Sequence, residues 1–439
     1  MTDLPRRHQR AKGSPAVRHG RLPRRRVASS VAKLLAGVVA VALVSTVSVA
    51  AYAVWDVSRS VKTGVKLVAL PGHSALPQDI PNVGAIEGGV NLLLTGTDSR
   101  SGLGGIYELP EEQDASSGAG NNDVTMLLHI AQDHKSMMVV SFPRDMMVEI
   151  PDCPAPNGDG TVYGSDNAQF NTALSRGGLA CAVLTVEQLT GVQIPFAATV
   201  NFAGVSAMSK AVGGVTVCLA SPVVDEHTNP PLDLPAGNRT LVGDEALSFL
   251  RSRYGVGDGS DLGRISNQQV FLSALARKIV SGGVLANPVQ LYALAKAAVA
   301  NVTPSESLRN PTTLVEIALA VKDTGLQNMV FLQYPTVGDP DNVNRVVPSY
   351  AAEAVNEALV KDQPVKLTGS TGRAAEDPTA TATPAPTDTG SPPPSTDTAT
   401  PPPSGAAPTP TPTGTGAVEL PDTVTGQTAA QQTCTKGNN

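Results

Sequence analysis

Apolar residues fall along the chain in two main patterns. Between Leu34 and Trp55, 22 consecutive residues carry no charge and are mostly Ala, Val and Leu. As a helix rising about 1.5 Å per residue, such a run is long enough for a hydrocarbon core of roughly 30 Å. Beyond it, short runs rich in Val, Leu and Ile predict strands at 90–94, 126–130, 137–141, 215–219, 329–333 and 345–347. A polar hairpin-like turn at 132–135 joins the second to the third. Helical patterns lie between the strands. They predict helical pieces at 170–174 and 182–189, the latter ending at Gly191, and a helix at 202–212 that stops at Gly213-Gly214. Further helices are predicted at 243–250, 267–280, 311–321 and 350–360. In 267–280 the apolar set is Val270, Leu272, Leu275, Ala276 and Ile279. Asn287-Pro288 supplies an N-cap and first turn for a helix to about Ala300. Strands and helices that mix without segregating predict an α/β class: a three-layer α/β/α domain with a mixed central sheet over residues 56–366. No repeat of solenoid period is present.

Charge divides the chain. Residues 1–33 hold ten Lys/Arg and one acid, whereas residues 56–439 hold 22 bases and 37 acids. A basic leader before an uncharged run stays in the cytoplasm. The expectation is therefore a single-pass cell-membrane protein with a transmembrane signal-anchor at 34–55 and residues 56–439 outside. A cleaved signal peptide is the alternative, because Ala51-Tyr52-Ala53 fits a small-x-small site. Arg24-Arg25 is not followed by a full twin-arginine motif. Between Pro378 and Pro412 there are 12 prolines in 35 residues, interleaved with Thr, Ser, Ala and Gly. That composition cannot bury enough apolar surface to offset its conformational entropy. It predicts a disordered linker over 367–416, either a spacer through a cell wall or a plain tail. The segment 417–439, with Cys434, carries no assignable pattern.

The exported part is acidic overall, which argues against a nucleic-acid-binding domain. Aromatics make up 3% of the chain, which disfavours an aromatic-lined sugar cleft. The six histidines show no metal spacing, and His129 sits in an apolar run as a packed core residue. No GxSxG elbow is present. Residues 255–263 are glycine-rich but lack the Walker Lys-Ser/Thr ending, so they read as a mobile loop, not an ATP cradle. Arginine is rare here, with 12 in residues 56–439, and five fall at abrupt ends of predicted elements. Arg100 and Arg144 follow strands, Arg251 and Arg253 follow 246–250, and Arg264 opens Arg264-Ile265-Ser266-Asn267-Gln268-Gln269, just before the predicted helix at 267–280. Arg251 and Arg253 share a face if that piece is extended. Ligands of open α/β sheets bind beyond the strands' carboxyl ends. Guanidiniums gathered there suit phosphate, since they are planar and permanently charged. Asp98 ends one strand and Asp123 begins another. Two carboxylates beside a phosphate cluster are the donors that Mg²⁺ uses.

These residues resemble the LytR-CpsA-Psr family. Asn91-Leu92-Leu93-Leu94-Thr95-Gly96-Thr97-Asp98-Ser99-Arg100 is similar to its opening motif. Asp123–Ile130 and Ser141-Phe142-Pro143-Arg144-Asp145 are similar to the next two. Phe170-Asn171-Thr172-Ala173, Gly213-Gly214-Val215, the 243–253 segment, the 257–264 segment and Gln268-Gln269 follow in order. The resemblance implies a membrane-anchored, outward-facing α/β/α phosphotransferase. Such an enzyme moves an anionic glycopolymer from a polyprenyl-pyrophosphate carrier to a hydroxyl of peptidoglycan, with Mg²⁺ (or Mn²⁺). It implies metal binding by Asp98 and Asp123, and pyrophosphate contacts by Arg100, Arg144, Arg251, Arg253, Arg264 and Gln268. Asp145 and Asp261 are expected at the substrate site as orienters of the arginines, with a general-base role as a hypothesis. The chain departs from the family where Arg is usual, at Asn121 and Asn267, and by the Gly/Ser/acid-rich insertion at 101–120.

Outside the membrane disulfides are permitted. The expected pair is Cys153–Cys181, tying the loop after Arg144-Asp145 to the following helix, with Cys181–Cys218 as the alternative. Two other functions use the same residues: a non-catalytic polymer- or lipid-binding regulatory protein, and a lipid-pyrophosphate hydrolase.

Overall fold

The computed structural model describes residues 24–72, 89–97, 120–156, 159–281, 283–284, 287–378 and 416–438. The chain divides into two compact units, Met1–Asp56 and Val57–Asn439. Helix α1, Arg24–Ser60, covers the whole uncharged run of 34–55. Among the described residues no helix is long and apolar enough to cross a membrane.

The larger unit is built on a seven-stranded sheet. Its strands are β1 (Val90–Thr97), β2 (Asn122–Ile130), β3 (Met137–Phe142), β4 (Phe196–Val200), β7 (Val302–Pro304), β8 (Met329–Gln333) and β10 (Gly426–Thr428). A four-stranded sheet holds β5 (Val215–Leu219), β6 (Gly237–Leu241), β9 (Ala375–Glu376) and β11 (Cys434–Thr435). The helices of this unit are α2 (Thr172–Thr190), α3 (Phe202–Ala211), α4 (Asp244–Arg251), α5 (Asp261–Ser281), α6 (Pro288–Asn301), α7 (Pro311–Thr324) and α8 (Ala351–Val360). The large sheet is ordered β7-β4-β1-β2-β3-β8-β10. β4 is parallel to β1, and β8 to β3, while β2 runs antiparallel between β1 and β3. Four strands therefore point their carboxyl ends to one edge, and the sheet is mixed.

Alternate side chains on these strands enter opposite layers. Leu93, Leu127 and Val140 join a core with Leu184 of α2 and Val355 of α8. Leu92, Met126, Val139 and Phe331 join a second core with Ile317 of α7 and Leu272 of α5. Helices thus cover both faces, as the three-layer reading expects. A third core under the small sheet includes Val217, Leu241, Phe249 and Phe271.

Helix α5 differs from its amphipathic forecast. Residues from Gly263 to Val270 are buried on every side, because the helix lies between the second and third cores. Helix α2 joins both predicted pieces across a kink at Gly177 and Gly178, and ends at Gly191 with φ 76°. The 345–347 strand is Val346–Pro348, paired with Thr336–Gly338 outside the large sheet. His129 is a core residue, as expected: Nδ1 lies 2.8 Å from the Asn91 Oδ1 and Nε2 3.0 Å from the Asp362 carboxylate.

The folded unit extends past Lys366. The segment 416–438 adds β10 to the edge of the large sheet and β11 to the small one. Cys153–Cys181 is formed, as expected. Cys434 is bonded to Cys218, which rules out the alternative Cys181–Cys218 pairing. Residues 379–415 of the Pro-rich linker lie outside the described residues, so the expectation of disorder there does too.

Glu187 on α2 is buried, and its Oε1 accepts the Ile194 amide at 2.7 Å. Burial pushes its carboxyl up to about 7, against the partial opposition of that hydrogen bond. The folded state therefore holds this proton more tightly than the unfolded chain. The group's contribution to stability is present below its ordinary 4.5 and is lost as pH rises through about 7. Glu187→Gln keeps the acceptor and removes the titration. Thermal midpoints at pH 4.5 and pH 7 should fall less with rising pH in the variant than in the wild type.

Candidate active site

The site lies where the four parallel strands end. The ends of β1 and β4 and the start of β2 form one wall of a cavity of about 350 Å³, lined there by Leu94, Gly96, Asp123 and Val200. Arg144 follows β3, held by backbone bonds on both sides: the Asn171 amide donates to its carbonyl at 3.2 Å, and its own amide donates to Asp261 Oδ2 at 3.3 Å. Across the cavity, α4 ends on Arg251, whose guanidinium lies 4.3 Å from the Phe202 ring centroid. Ser252 is extended, and the turn after it presents Arg253 to the same cavity. Arg264 and Gln268 come from the first turns of α5, with Gln268 Nε2 donating to the Leu250 carbonyl at 2.9 Å. Leu247, Leu250, Met208, Val205 and Leu272 make the rest of the cavity apolar.

The charges are interlocked. Asp261 Oδ1 receives Arg264 Nη2 at 2.6 Å and Arg253 Nη2 at 3.1 Å, and lies 3.8 Å from Arg144 Nε. Arg144 Nη1 donates to Asp123, and Arg264 Nη2 to the Asp123 carbonyl at 2.7 Å. Asp145 stands 3.5 Å from Arg144 Nε and accepts from Gln169 Nε2 at 2.6 Å, with Arg345 beyond it at 3.4 Å. Among the described residues, four guanidiniums at the cavity thus face three carboxylates, Asp123, Asp145 and Asp261. Burial alone would weaken the Arg144 guanidinium's hold on its proton, but Asp123, then Asp145 and Asp261, outweigh it and raise its pKa. At Arg253, burial and then repulsion from Arg264 win over Asp261, so its pKa is lowered. Arg264 Nε is buried without a hydrogen-bond partner among the described residues.

The structure brings Arg144, Arg251, Arg253, Arg264, Gln268, Asp123, Asp145 and Asp261 together. Asp98 and Arg100 lie outside the described residues; β1 ends at Thr97, paired with Asn122. Most of the insertion at 101–120 lies outside them as well. Two placements differ from expectation. Arg251 ends a helix and Arg264 lies within one, because the buried α5 starts at Asp261. The glycine-rich stretch is tied down: Gly257 N donates to the Lys436 carbonyl at 3.0 Å, and Arg373 pairs with Asp258 at 2.6 Å. Three contributors had no sequence signal. Gln169 and Arg345 brace Asp145, and the buried Asp225 accepts from Ser252 Oγ at 2.6 Å, Arg253 N at 3.3 Å and Gly255 N at 3.2 Å. Only the fold brings Asp225 to a turn so far along the chain.

No group of three His, Cys, Asp or Glu side chains is placed to hold a metal ion among the described residues. A larger cleft of about 1230 Å³ lies toward the other end of β2, around His129, Gln132 and Asp362, and is lined by no arginine among the described residues. The arginine cavity, not this cleft, holds the candidate chemistry.

The LytR_cpsA_psr family model matches residues 68–361. The chain belongs to the LytR-CpsA-Psr family. A cell wall biosynthesis protein of Corynebacterium glutamicum, LcpA, is 30% identical over 318 residues, covering 66% of this chain and 60% of that protein. A polyisoprenyl-teichoic acid–peptidoglycan teichoic acid transferase of Bacillus cereus, TagU, is 32% identical over 190 residues, covering 43% of this chain and 52% of that one. The chain thus spans about half to three-fifths of the length of these two relatives. A Streptococcus agalactiae protein of known structure superposes with a TM-score of 0.50 at 23% identity, over 62% of this chain and 87% of that one. That likeness concerns the fold.

Proposed function

We propose that this LytR-CpsA-Psr protein is a phosphotransferase. It moves an anionic glycopolymer from a polyprenyl-pyrophosphate carrier to a hydroxyl of peptidoglycan. The observation that carries this reading is the pairing of four guanidiniums with an apolar cavity. A diphosphate joined to a polyprenyl chain has the same two-part character. The relatives' names point the same way.

The chain's residues divide the work by position. Arg144, Arg253 and Arg264 neutralise the diphosphate, and Arg251 does so from the Phe202 side. The acceptor oxygen attacks the phosphorus that carries the glycopolymer. A phosphodiester bond forms, the bond to the bridging oxygen breaks, polyprenyl phosphate leaves with that oxygen, and the acceptor hydroxyl's proton passes to the departing phosphate or to solvent. The arginines hold the charge that gathers on the leaving phosphate, which is the main demand of phosphoryl transfer. Asp145 and Asp261 are orienters. Each is engaged by arginines, so its carboxylate oxygens face guanidiniums. Asp145→Ala should therefore lower transfer without changing the shape of the pH profile; a lost acidic limb would assign it the base role instead. Asp123 at the cavity wall offers a hard oxygen donor suited to Mg²⁺ (or Mn²⁺); Asp98, the other expected donor, lies outside the described residues. That ion, when bound, neutralises phosphate charge and polarises phosphorus.

The run at 34–55 would anchor the protein in the cell membrane with its N-terminus in the cytoplasm. Two disulfides in the larger unit agree with an oxidising, extracytoplasmic compartment. The test combines a short polyprenyl-pyrophosphate-linked saccharide, peptidoglycan fragments and the full chain in detergent, with and without Mg²⁺. A metal-dependent, phosphodiester-linked product supports transfer. Release of saccharide phosphate alone favours a hydrolase, and tight lipid binding without turnover a binding or regulatory protein.

A further inference from the structure

Two arginine-bearing pieces of the site are held by residues far away in sequence. Asn438 donates from its amide to the Gly255 carbonyl at 3.1 Å and from Nδ2 to the Tyr254 carbonyl at 3.0 Å. The Lys436 carbonyl accepts from Gly257 N, and Gly437 bridges to Val256. Asp225 holds the same turn from its other side, so the backbone next to Arg253 is fixed between two separate chain segments. Thr435 acts on the second piece. Its Oγ1 donates to Asn267 Oδ1 at 2.8 Å, which orients the amide so that Asn267 Nδ2 donates to the Phe249 carbonyl at 2.8 Å. That carbonyl belongs to the last turn of α4, which ends on Arg251. Both Thr435 and Asn267 are fully buried. The disulfide Cys218–Cys434 and the β5–β11 pairing deliver these residues to their places.

We infer that the segment 434–438 is a positioning element of the arginine site. Thr435 sets Arg251 by way of Asn267 and the end of α4, and Asn438 sets Arg253 by way of its turn. The inference rests on the proposed function only for the identity of the ligand. A buried hydroxyl–amide–carbonyl chain has a single low-energy arrangement, because any other leaves a buried polar group unpaired. The backbone that carries Arg251 is held at the end of such a chain before the anion arrives, and less freedom is lost on binding.

The experiment uses the full chain in detergent and inorganic pyrophosphate as the probe. Thr435→Val, Thr435→Ser and Asn438→Ala are compared with the wild type. Three readouts are taken: pyrophosphate affinity, hydrogen exchange of the amides from 251 to 257, and the thermal midpoint. Thr435→Val and Asn438→Ala should each weaken pyrophosphate binding about 10-fold, the size expected from losing roughly one hydrogen bond's worth of alignment. Exchange at 251–257 should quicken in both, at temperatures where the variants remain folded. Thr435→Ser keeps the hydroxyl and should restore both readouts. Unchanged exchange in the two deleting variants would overturn the inference. Faster exchange with unchanged affinity would also overturn it, leaving the segment as a brace for stability alone. If the wild type itself binds no pyrophosphate, the proposed function falls, and exchange alone decides whether the segment holds the turns.

Discussion

Arg144→Ala is expected to lower kcat/KM for transfer by about 10²–10³-fold, the usual effect of removing one preorganised donor from a site of developing negative charge. Among the described residues, Arg144 is the guanidinium that reaches all three carboxylates of the cluster. Its removal takes away a charge at the cavity and releases the Asp123 carboxylate to repel the proposed anion, while Asp145 keeps Arg345 and Asp261 keeps Arg253 and Arg264. Both effects act in one direction. The fold should survive, because the Arg144 amide and carbonyl, which make the bonds to Asp261 and Asn171, are retained by alanine. Arg144→Lys should recover little, since a point charge cannot address Asp123 and phosphate together as a planar fork does. Initial rates at several lipid concentrations, with a thermal scan of each variant, check this. A rate within a few-fold of wild type would remove Arg144 from the machinery.

Loss of the Cys218–Cys434 bond is the second large effect. The two disulfides close very different loops, with sequence separations of 28 and 216. In the chain-entropy picture the longer loop contributes about 2 kcal/mol more, within a typical range of about 2–5 kcal/mol. The Cys218→Ser, Cys434→Ser double variant should therefore unfold at lower denaturant than the Cys153→Ser, Cys181→Ser double variant. The longer bond also secures β11 and, through it, the turn of Arg253. Transfer should fall in step. Denaturant midpoints of the two double variants measure the difference, and equal midpoints would contradict it.

The strands and arginines are legible in the sequence for a simple reason. Residues 90–94, 126–130 and 137–141 are nearly continuous apolar runs, and a central sheet covered on both faces demands such runs. Arg144, Arg253 and Arg264 stand where those patterns break, so their convergence beyond the sheet follows from topology. Less can be read where side chains carry no period. The strand Ser165–Gln169 is SDNAQ, polar except for the buried Ala168, and is paired only with Met147–Ile150 among the described residues. Cys434–Thr435 is two residues long and becomes a strand only through its neighbours in the small sheet and the disulfide. Helix α5 reads as amphipathic because Asn267, Gln268 and Gln269 are polar. They are buried nonetheless, with Asn267 and Gln268 bonded to the end of α4. Asn267, where the family usually has arginine, is thereby explained as a structural link to Thr435. Asp225 is silent in the sequence because a buried carboxylate that caps a distant turn has no local signature.

The most direct measurement is of both products in one reaction. The full chain in detergent is given a polyprenyl-pyrophosphate-linked saccharide and peptidoglycan fragments, and polyprenyl phosphate and phosphodiester-linked glycan are quantified together. Transfer by the arginine site predicts that the two appear in equal molar amounts and that both disappear with Arg144→Ala. Polyprenyl phosphate accompanied by free saccharide phosphate, with no linked glycan, would contradict it.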